Sequence, residues 1–282
     1  MAEPSRQDTD VPSDAAGPFA SSWRRRHLTV DERVARGQTA RQKLPRSSHG
    51  HWEPAPDRPD PVALLEEQAA TRVPQLIPIR YGRMLASPFT FYRGGALIMA
   101  ADLAATPVTG VTVQLCGDAH LSNFGLFGTP ERQMIFDIYD FDETLPGPWE
   151  WDVKRLAASF EIMGRDRGFS RADRRAVVMA RLDGVSRDYY VRQFHDWKGG
   201  ADVEALLVPG ATLYARICGA TLARAHARWG DRIAIASYLG KSDAFDRAME
   251  DFSVAYADQN EQDYAAFAAA VDAGRLTART GV

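Results

Sequence analysis

The chain of 282 residues lacks several features that would assign it to a common class of protein. Its two cysteines, Cys116 and Cys218, lie far apart and form no C-x-x-C pair, so we expect reduced, buried thiols rather than a disulfide or a zinc site. No apolar run approaches the roughly 20 residues that a membrane span needs. The residues after Arg24–Arg26 are charged where the apolar part of an export signal would begin. We therefore expect a cytoplasmic protein without a membrane segment.

An excess of charge of one sign is also lacking. The 34 Lys and Arg residues nearly balance the 37 Asp and Glu residues, which leaves a net charge of −3. Such a balance gives no general attraction to nucleic acids or anionic membranes, and the sequence contains no recognisable nucleic-acid-binding motif. We expect neither a nucleic acid nor a membrane as a partner, and the sequence leaves the oligomeric state open.

The composition changes near residue 60. Half of the 16 prolines lie at or before Pro61, among Ser, Gly and mixed charges with few periodic apolar residues. This composition predicts a disordered or loosely packed arm over residues 1–60, with a short helix over Thr29–Lys43. Residues 61–282 are then expected to form the folded domain.

Beyond residue 60 the patterns predict few strands and many helices, an α+β fold. Alternation and turn residues predict one strand and one hairpin, over Val111–Cys116, Leu126–Phe127 and Gln133–Ile138. The segment Arg72–Arg83, with Pro74 and Pro78, is expected to be extended. Helical periodicity and cap residues predict helices over Pro61–Thr71, Gly94–Ala105, Asp152–Arg167, Ser170–Val185, Ala211–Trp229, Asp243–Ala257 and Glu261–Ala273.

The segment Gly117–Asn123 follows the predicted strand and carries the most informative chemistry. Gly117 permits a sharp turn, so the Asp118 carboxylate can project from the end of the strand. Asn123 offers a neutral oxygen of the kind that suits Mg²⁺. His120 is a candidate catalytic residue that we expect to orient the loop through hydrogen bonds. An Asp-x-x-x-x-Asn loop backed by a second Asp is how kinases hold a hydroxyl and Mg²⁺ around a phosphate.

A second acidic cluster spans Asp137–Glu143. Strand alternation places Asp140 and Asp142 on one side and Asp137 on the other, so we predict Asp140 and Asp142 as metal ligands and Asp137 as a structural acceptor. Aspartates are also common in turns. At least three carboxylates nevertheless lie within 25 residues, together with a carboxamide and a histidine, and this clustering would be electrostatically costly without a cation or strong donors. The clustering therefore favours a functional site.

Three motifs in order resemble a known group of enzymes. Gly117–Asn123 resembles the Gly-Asp-Leu-His-x-x-Asn loop of aminoglycoside phosphotransferases and related small-molecule kinases. Ile138–Glu143 is similar to their second metal-binding segment, and Gly147–Val153 to the Gly-Asp-Pro-x-x-Asp-Leu that follows it.

A closer resemblance is to the bacterial family called domain of unknown function 2252, which has no established substrate. It covers about 72–168 and about 189 to the end, and rests on Ser87–Gly94, Asp140–Asp152, Ala223–Arg228 and Tyr256–Glu261. The resemblance implies a protein-kinase-like fold, mostly the helical catalytic lobe with a small β-hairpin region. It also implies Asp118 as the catalytic base and Mg²⁺, bound by Asn123 and Asp140, with ATP as the cofactor.

One departure concerns the nucleotide-binding half of such a site. The family pattern includes a segment with a Gly-rich stretch and a lysine, whereas this chain joins the flanks directly, which predicts an internal truncation near 186–189. The sequence contains no G-x-G-x-x-G. The cations left as candidates for the cofactor phosphates are Lys198, Arg83 and Arg93.

Three functional hypotheses follow. The first is a Mg²⁺-dependent phosphotransferase that binds a nucleotide and a small hydroxyl-containing substrate. The second is a catalytically degenerate kinase-like protein with a binding or regulatory role. The third, ranked last, is a metal-dependent phosphoester hydrolase, for which His195 and His226 are the nearest further ligands in sequence.

Overall fold

The computed structural model describes residues 28–180 and 198–281, with Lys198 described by its backbone alone. Within these ranges the chain forms an α+β fold that is mostly helical, as predicted. The helices are α1 Val30–Lys43, α2 Pro61–Ala69, α3 Ile77–Met84, α4 Pro88–Gly94, α5 Ala96–Ala104, α6 Trp149–Asp166, α7 Arg171–Val178, α8 Val208–Trp229, α9 Arg232–Leu239 and α10 Ala244–Asp272. The strands are β1 Thr112–Gln114, β2 Phe124–Gly128, β3 Met134–Ile138, β4 Pro146–Pro148 and β5 Lys198–Gly200.

The described part of the predicted arm contributes to the folded body. The predicted helix is present as α1, where Thr29 and Glu32 form a reciprocal capping box. Helix α1 packs against α9. The Trp52 ring is buried and packs on rings of α10, with its centroid 4.9 Å from that of Tyr256. The predicted boundary at residue 60 stays a prediction.

A buried ion network fastens this N-terminal region to the body. The Arg58 guanidinium donates to Asp102 of α5 over 2.6 and 2.9 Å, and to Asp263 of α10 over 2.8 and 2.6 Å. Both carboxylates are buried, so each depends on Arg58 for compensation of its charge.

The prediction of an extended segment over Arg72–Arg83 was wrong. The chain forms a 3₁₀ turn over Pro74–Leu76 and then helix α3. Pro78 lies in the first turn of α3, where a backbone N–H has no partner within the helix, so its missing donor costs nothing. The helical geometry matters for the site, since it places Arg80 and Arg83 one turn apart on the same face.

The two helices predicted beyond Asp243 are one continuous helix, α10. The polar stretch that suggested a break is held by tertiary partners. The Asn260 amide donates to the carbonyl of Pro88, and Arg165 of α6 pairs with Asp258 and Glu261. These contacts satisfy the polar side chains without ending the helix.

Two small antiparallel sheets frame the segment after β1. Strand β1 pairs with β4, and β2 lies between β3 and β5. The hairpin predicted from the turn residues is confirmed as β2 and β3, in register from Phe124 opposite Ile138 to Gly128 opposite Met134. The backbone N–H of Tyr139 donates to the carbonyl of Asn123 over 3.2 Å. The two predicted functional segments therefore lie side by side over the buried helix α6.

Within residues 28–180 and 198–281, none of the helices combines the length and apolar character that a membrane crossing requires.

Candidate active site

The loop that carries Asp118 begins with Gly117, at a position where any other residue would be strained. Gly117 has φ of +83°, in the left-handed region. A Cβ added there would lie 2.0 Å from the carbonyl oxygen of Glu143. The backbone of the loop thus passes in direct contact with the acidic segment.

A buried carboxylate behind the loop fixes its backbone. Asp152 accepts the N–H of Cys116 over 2.8 Å and the N–H of Gly117 over 3.0 Å, and lies 2.9 Å from Nε2 of His226 on α8. We call Asp152, His226 and the two bound amides the Asp152 clamp. The prediction that Asp152 caps its helix was wrong, because α6 begins at Trp149 and its N-cap is Pro148. Asp152 is a positioning residue for the loop instead.

The Asp118 carboxylate is held at one oxygen. Oδ1 lies 2.6 Å from Nε and 2.5 Å from Nη2 of Arg155, a buried residue of α6. The Arg155 guanidinium also lies over the Tyr92 ring, 4.5 Å from its centroid. The second oxygen, Oδ2, lies 3.6 Å from Nε2 of His120, which leaves it as the atom that a substrate hydroxyl could reach.

His120 is buried and neutral at pH 7. Burial lowers its pKa to about 3, an effect that the Asp118 carboxylate opposes and the Arg155 and Arg93 cations reinforce. Nδ1 accepts the backbone N–H of Ser122 over 3.2 Å, so the neutral ring carries its proton on Nε2, towards Asp118. These contacts match the expected loop-orienting role, and a catalytic role for His120 stays a prediction.

Six of the sequence-predicted site residues line one cleft of about 840 Å³: Arg83, Arg93, Asp118, His120, Asn123 and Asp140. The Asn123 amide nitrogen donates to the Asp118 carbonyl over 2.8 Å, so its amide oxygen is the atom available to a cation. The Asp140 carboxylate accepts the backbone N–H of Asp142 over 3.3 Å. Asp142 itself is exposed and does not line the cleft. Strand β3 ends at Ile138, so strand alternation does not extend to Asp142, and its role as a metal ligand stays a prediction.

Asp137 lies apart from this cleft, as does His226, one of the two histidines of the hydrolase hypothesis. Asp137 lies 3.8 Å from Arg228 and accepts the N–H of Ile138. His226 belongs to the Asp152 clamp, and His195 lies outside the described residues. In the described part of the chain no three His, Cys, Asp or Glu side chains form a metal-binding group. An oxygen set of one carboxylate and one carboxamide does fit Mg²⁺, which keeps several waters in protein sites.

Four arginines line the same cleft. Arg83 and Arg93 were predicted, and Arg72 and Arg80 join them. The sequence signal for Arg80, its spacing of three from Arg83, was missed because the segment was not recognised as a helix. The side chain of Lys198 lies outside the description, and its backbone pairs with Phe127 of β2.

Two further cavities differ in character. One of about 560 Å³ adjoins the cleft, since Thr90 and Arg93 line both, and it is bordered by Ser122 and Tyr139. Another of about 610 Å³ lies between α6, α8 and α9 and is mostly apolar, with His226 on its wall. It contains none of the carboxylates of the predicted site, whereas Asp118 and Asp140 line the 840 Å³ cleft.

Comparison with known proteins identifies one family. The model of a family described as "Uncharacterized protein conserved in bacteria" (DUF2252) matches residues 72–184 and 177–270. These matches cover the cleft, the Asp152 clamp and most of α10. No curated protein and no solved structure matches the chain.

Proposed function

The chain belongs to this bacterial family of uncharacterized proteins, and on that premise we propose that it is a Mg²⁺-dependent phosphotransferase acting on a small hydroxyl compound. One observation carries the proposal: the carboxylates of Asp118 and Asp140 and the amide of Asn123 line a single cleft. These residues come from two segments on either side of a β-hairpin, and a kinase site needs this combination of base and oxygen ligands.

Mg²⁺ would be held by Asp140 and the Asn123 amide oxygen, and when bound it neutralises charge on the transferred phosphoryl group. The nucleotide, ATP in this proposal, would occupy the cleft, whose volume of about 840 Å³ is within the range of ligand sites. The acceptor would enter from the adjoining polar cavity, since the two cavities share Arg93 and Thr90. ATP is abundant in the cytoplasm, which is where we propose the protein acts.

Asp118 would accept the proton of the acceptor hydroxyl at Oδ2, because Oδ1 is occupied by Arg155. The hydroxyl oxygen then forms its new bond to phosphorus as the bond from phosphorus to the bridging oxygen of the nucleotide breaks. Neutral His120 would hold the loop in place through Ser122 while its Nε2–H faces the Asp118 carboxylate. The Asp152 clamp would keep the backbone on which Asp118 sits from moving during transfer.

Two further parts of the proposal rest on the resemblance. We propose a protein-kinase-like arrangement, which the order of the loop, the β2–β3 hairpin, Asp140 and the clamp residue Asp152 supports. We also propose that an internal segment is missing near 186–189, in which case the phosphate contacts of a Gly-rich loop and lysine must come from elsewhere.

The test is transfer of labelled phosphate from ATP to a panel of small hydroxyl compounds. Asp118→Asn should lower the rate by about 10²–10⁴-fold, the usual contribution of a general base. Asp251→Asn is the matched control, since Asp251 is an exposed residue of α10 that does not line the cleft, and it should leave the rate unchanged. Absence of both Mg·ATP binding and hydrolysis by the wild-type protein would rule the proposal out.

A second candidate is a binding protein without transfer activity. The ion pair of Asp118 with Arg155, at 2.5 Å, favours it, because a base engaged by a buried arginine has one oxygen fewer for substrate. This candidate predicts Mg·ATP binding without transfer to any compound in the panel.

A further inference from the structure

The arginines of the cleft form one wall, which we call the arginine wall: Arg72, Arg80, Arg83 and Arg93. Arg72 follows α2, Arg80 and Arg83 lie on α3, and Arg93 lies in the last turn of α4. The cleft has two carboxylates among its lining residues, Asp118 and Asp140, and Arg155 already compensates the first. The cleft is therefore positive although the whole chain carries −3.

Arg80 is the member that most needs an anion. Its Nη2 donates to the Gln68 side-chain oxygen over 3.1 Å and to the Gly94 carbonyl over 2.6 Å, both neutral acceptors. Among the described residues no carboxylate lies within ion-pair distance of its guanidinium, and Nε and Nη1 have no acceptor. Burial and the neighbouring Arg72 lower the pKa of Arg80, against the attraction of Asp118 and Glu143. The half-buried guanidinium of Arg80 thus keeps donors that no protein acceptor uses, and these are available to an anionic ligand.

The other members differ in how far they are engaged. Arg72 lies 3.7 Å from Glu143, a loose and exposed pair. The side chains of Arg83 and Arg93 are exposed and make no hydrogen bond to other described residues. Arg93 lines both the cleft and the adjoining polar cavity, so it lies where a donor and an acceptor would meet.

We propose that the arginine wall binds the phosphate chain of a nucleotide, in place of a Gly-rich loop and a lysine, with Arg93 at the phosphoryl group that is transferred. The inference rests on the proposed function for the identity of the ligand. Guanidinium groups suit this task because their planar donors bind phosphate oxygens in pairs. Arg80 and Arg83 lie one turn apart on α3 and can bind successive phosphates of the nucleotide. The terminal phosphate at the other end of this phosphate chain would then point to Asp118.

The experiment is calorimetric titration of the full-length protein with sodium tripolyphosphate, ATP and AMP, without Mg²⁺ and at fixed ionic strength. We expect the wild type to bind tripolyphosphate and ATP. Arg93→Ala should weaken both at least tenfold, and Arg80→Met at least tenfold, with partial recovery in Arg80→Lys. Arg247→Ala, which removes an exposed arginine of α10, is the control and should bind as the wild type does. Thermal melting checks that each variant is folded, and Arg93 is the safer site because its side chain is exposed.

Failure of this inference and failure of the proposed function give different results. If the wild type binds neither tripolyphosphate nor ATP, or if Arg80→Met and Arg93→Ala bind like the wild type, the arginine wall is not a phosphate site. If AMP binds as tightly as ATP, recognition rests on the nucleoside and the inference is also overturned. Equal affinity for tripolyphosphate and ATP supports a site for the phosphate chain alone, and tighter ATP binding supports a nucleotide site. If Asp118→Asn and the wild type bind tripolyphosphate equally and neither transfers phosphate, the wall stands and the phosphotransferase proposal fails.

Discussion

Replacing Asp152 tests whether a buried carboxylate organises the loop that carries Asp118. Asp152 is 2% exposed, and its carboxylate accepts two backbone N–H groups, from Cys116 and Gly117, over 2.8 and 3.0 Å. A hydrogen bond to a charged group contributes about 1.5–3 kcal/mol, so Asp152→Ala should lower the free energy of unfolding by about 3–6 kcal/mol. That is a large part of the 5–15 kcal/mol typical of a domain, so the variant could be only marginally folded.

Asp152→Asn is therefore the more informative variant. The amide keeps the size of the side chain and one acceptor oxygen, but its NH₂ group would face a backbone N–H in either orientation, that of Cys116 or that of Gly117. We expect a loss of about 1–3 kcal/mol in urea-induced unfolding, together with a lower rate of phosphate transfer at unchanged tripolyphosphate affinity. Asp251→Asn, an exposed substitution on α10, is the control and should change stability by less than about 0.5 kcal/mol.

Two results would refute the role of Asp152 in holding the loop. If Asp152→Asn and Asp152→Ala both unfold within about 0.5 kcal/mol of the wild type, the distance of 2.8 Å between the carboxylate and Cys116 N does not represent a stabilising contact. If stability falls but amide hydrogen exchange at Gly117 stays as slow as in the wild type, the clamp stabilises α6 and α8 rather than the loop.

Three further predictions concern stability, each measured by urea-induced unfolding. Burial lowers the pKa of His49 to about 4 and of His120 to about 3 from 6.5. The stability associated with the neutral rings is therefore present above pH 6.5 and is lost as the pH falls below it, by up to about 1.4 kcal/mol per pH unit for each ring. His120→Gln should remove about half of this slope, and an unchanged slope would contradict the assignment. Gly117→Ala should lower the free energy of unfolding by about 2 kcal/mol or more, because φ is +83° and the new Cβ would meet Glu143. A variant as stable as the wild type would refute the strained turn. Arg58→Met should cost about 3–5 kcal/mol, since it leaves two buried carboxylates without a cation, and a loss below about 1 kcal/mol would show that they are compensated otherwise.

Local signals in the sequence predicted several elements because the responsible groups are neighbours in the chain. Thr29 and Glu32 satisfy each other's backbone N–H groups at the start of α1, and Ser170 caps α7 by accepting the N–H of Asp173. The hairpin of β2 and β3 follows from two apolar runs around a turn. No distant contact is needed to recognise these elements.

Elements that depend on distant partners were predicted less well. The polar stretch within α10 suggested a break, but its side chains contact Pro88 and Arg165, which are distant in the chain, and the helix is continuous. Asp142 was paired with Asp140 by strand alternation, yet the strand ends at Ile138 and the side chain is exposed. The alternation rule applies only while the backbone remains in the sheet.

By itself, the sequence determined the residue types of the candidate site and their order along the chain: a carboxylate and a carboxamide in a loop after a short strand, and a second acidic segment after a hairpin. It also indicated that Gly117 permits a sharp turn, whereas the positive φ and the contact with Glu143 that require a glycine there came from the structure. Only the tertiary structure decided which of these groups share a cleft, that Asp118 is held by Arg155, that Asp152 binds the loop amides, and that Arg72 and Arg80 face the same space. The physical reason is that burial, ion pairing and convergence depend on distances between atoms far apart in the chain, which residue order and periodicity do not contain.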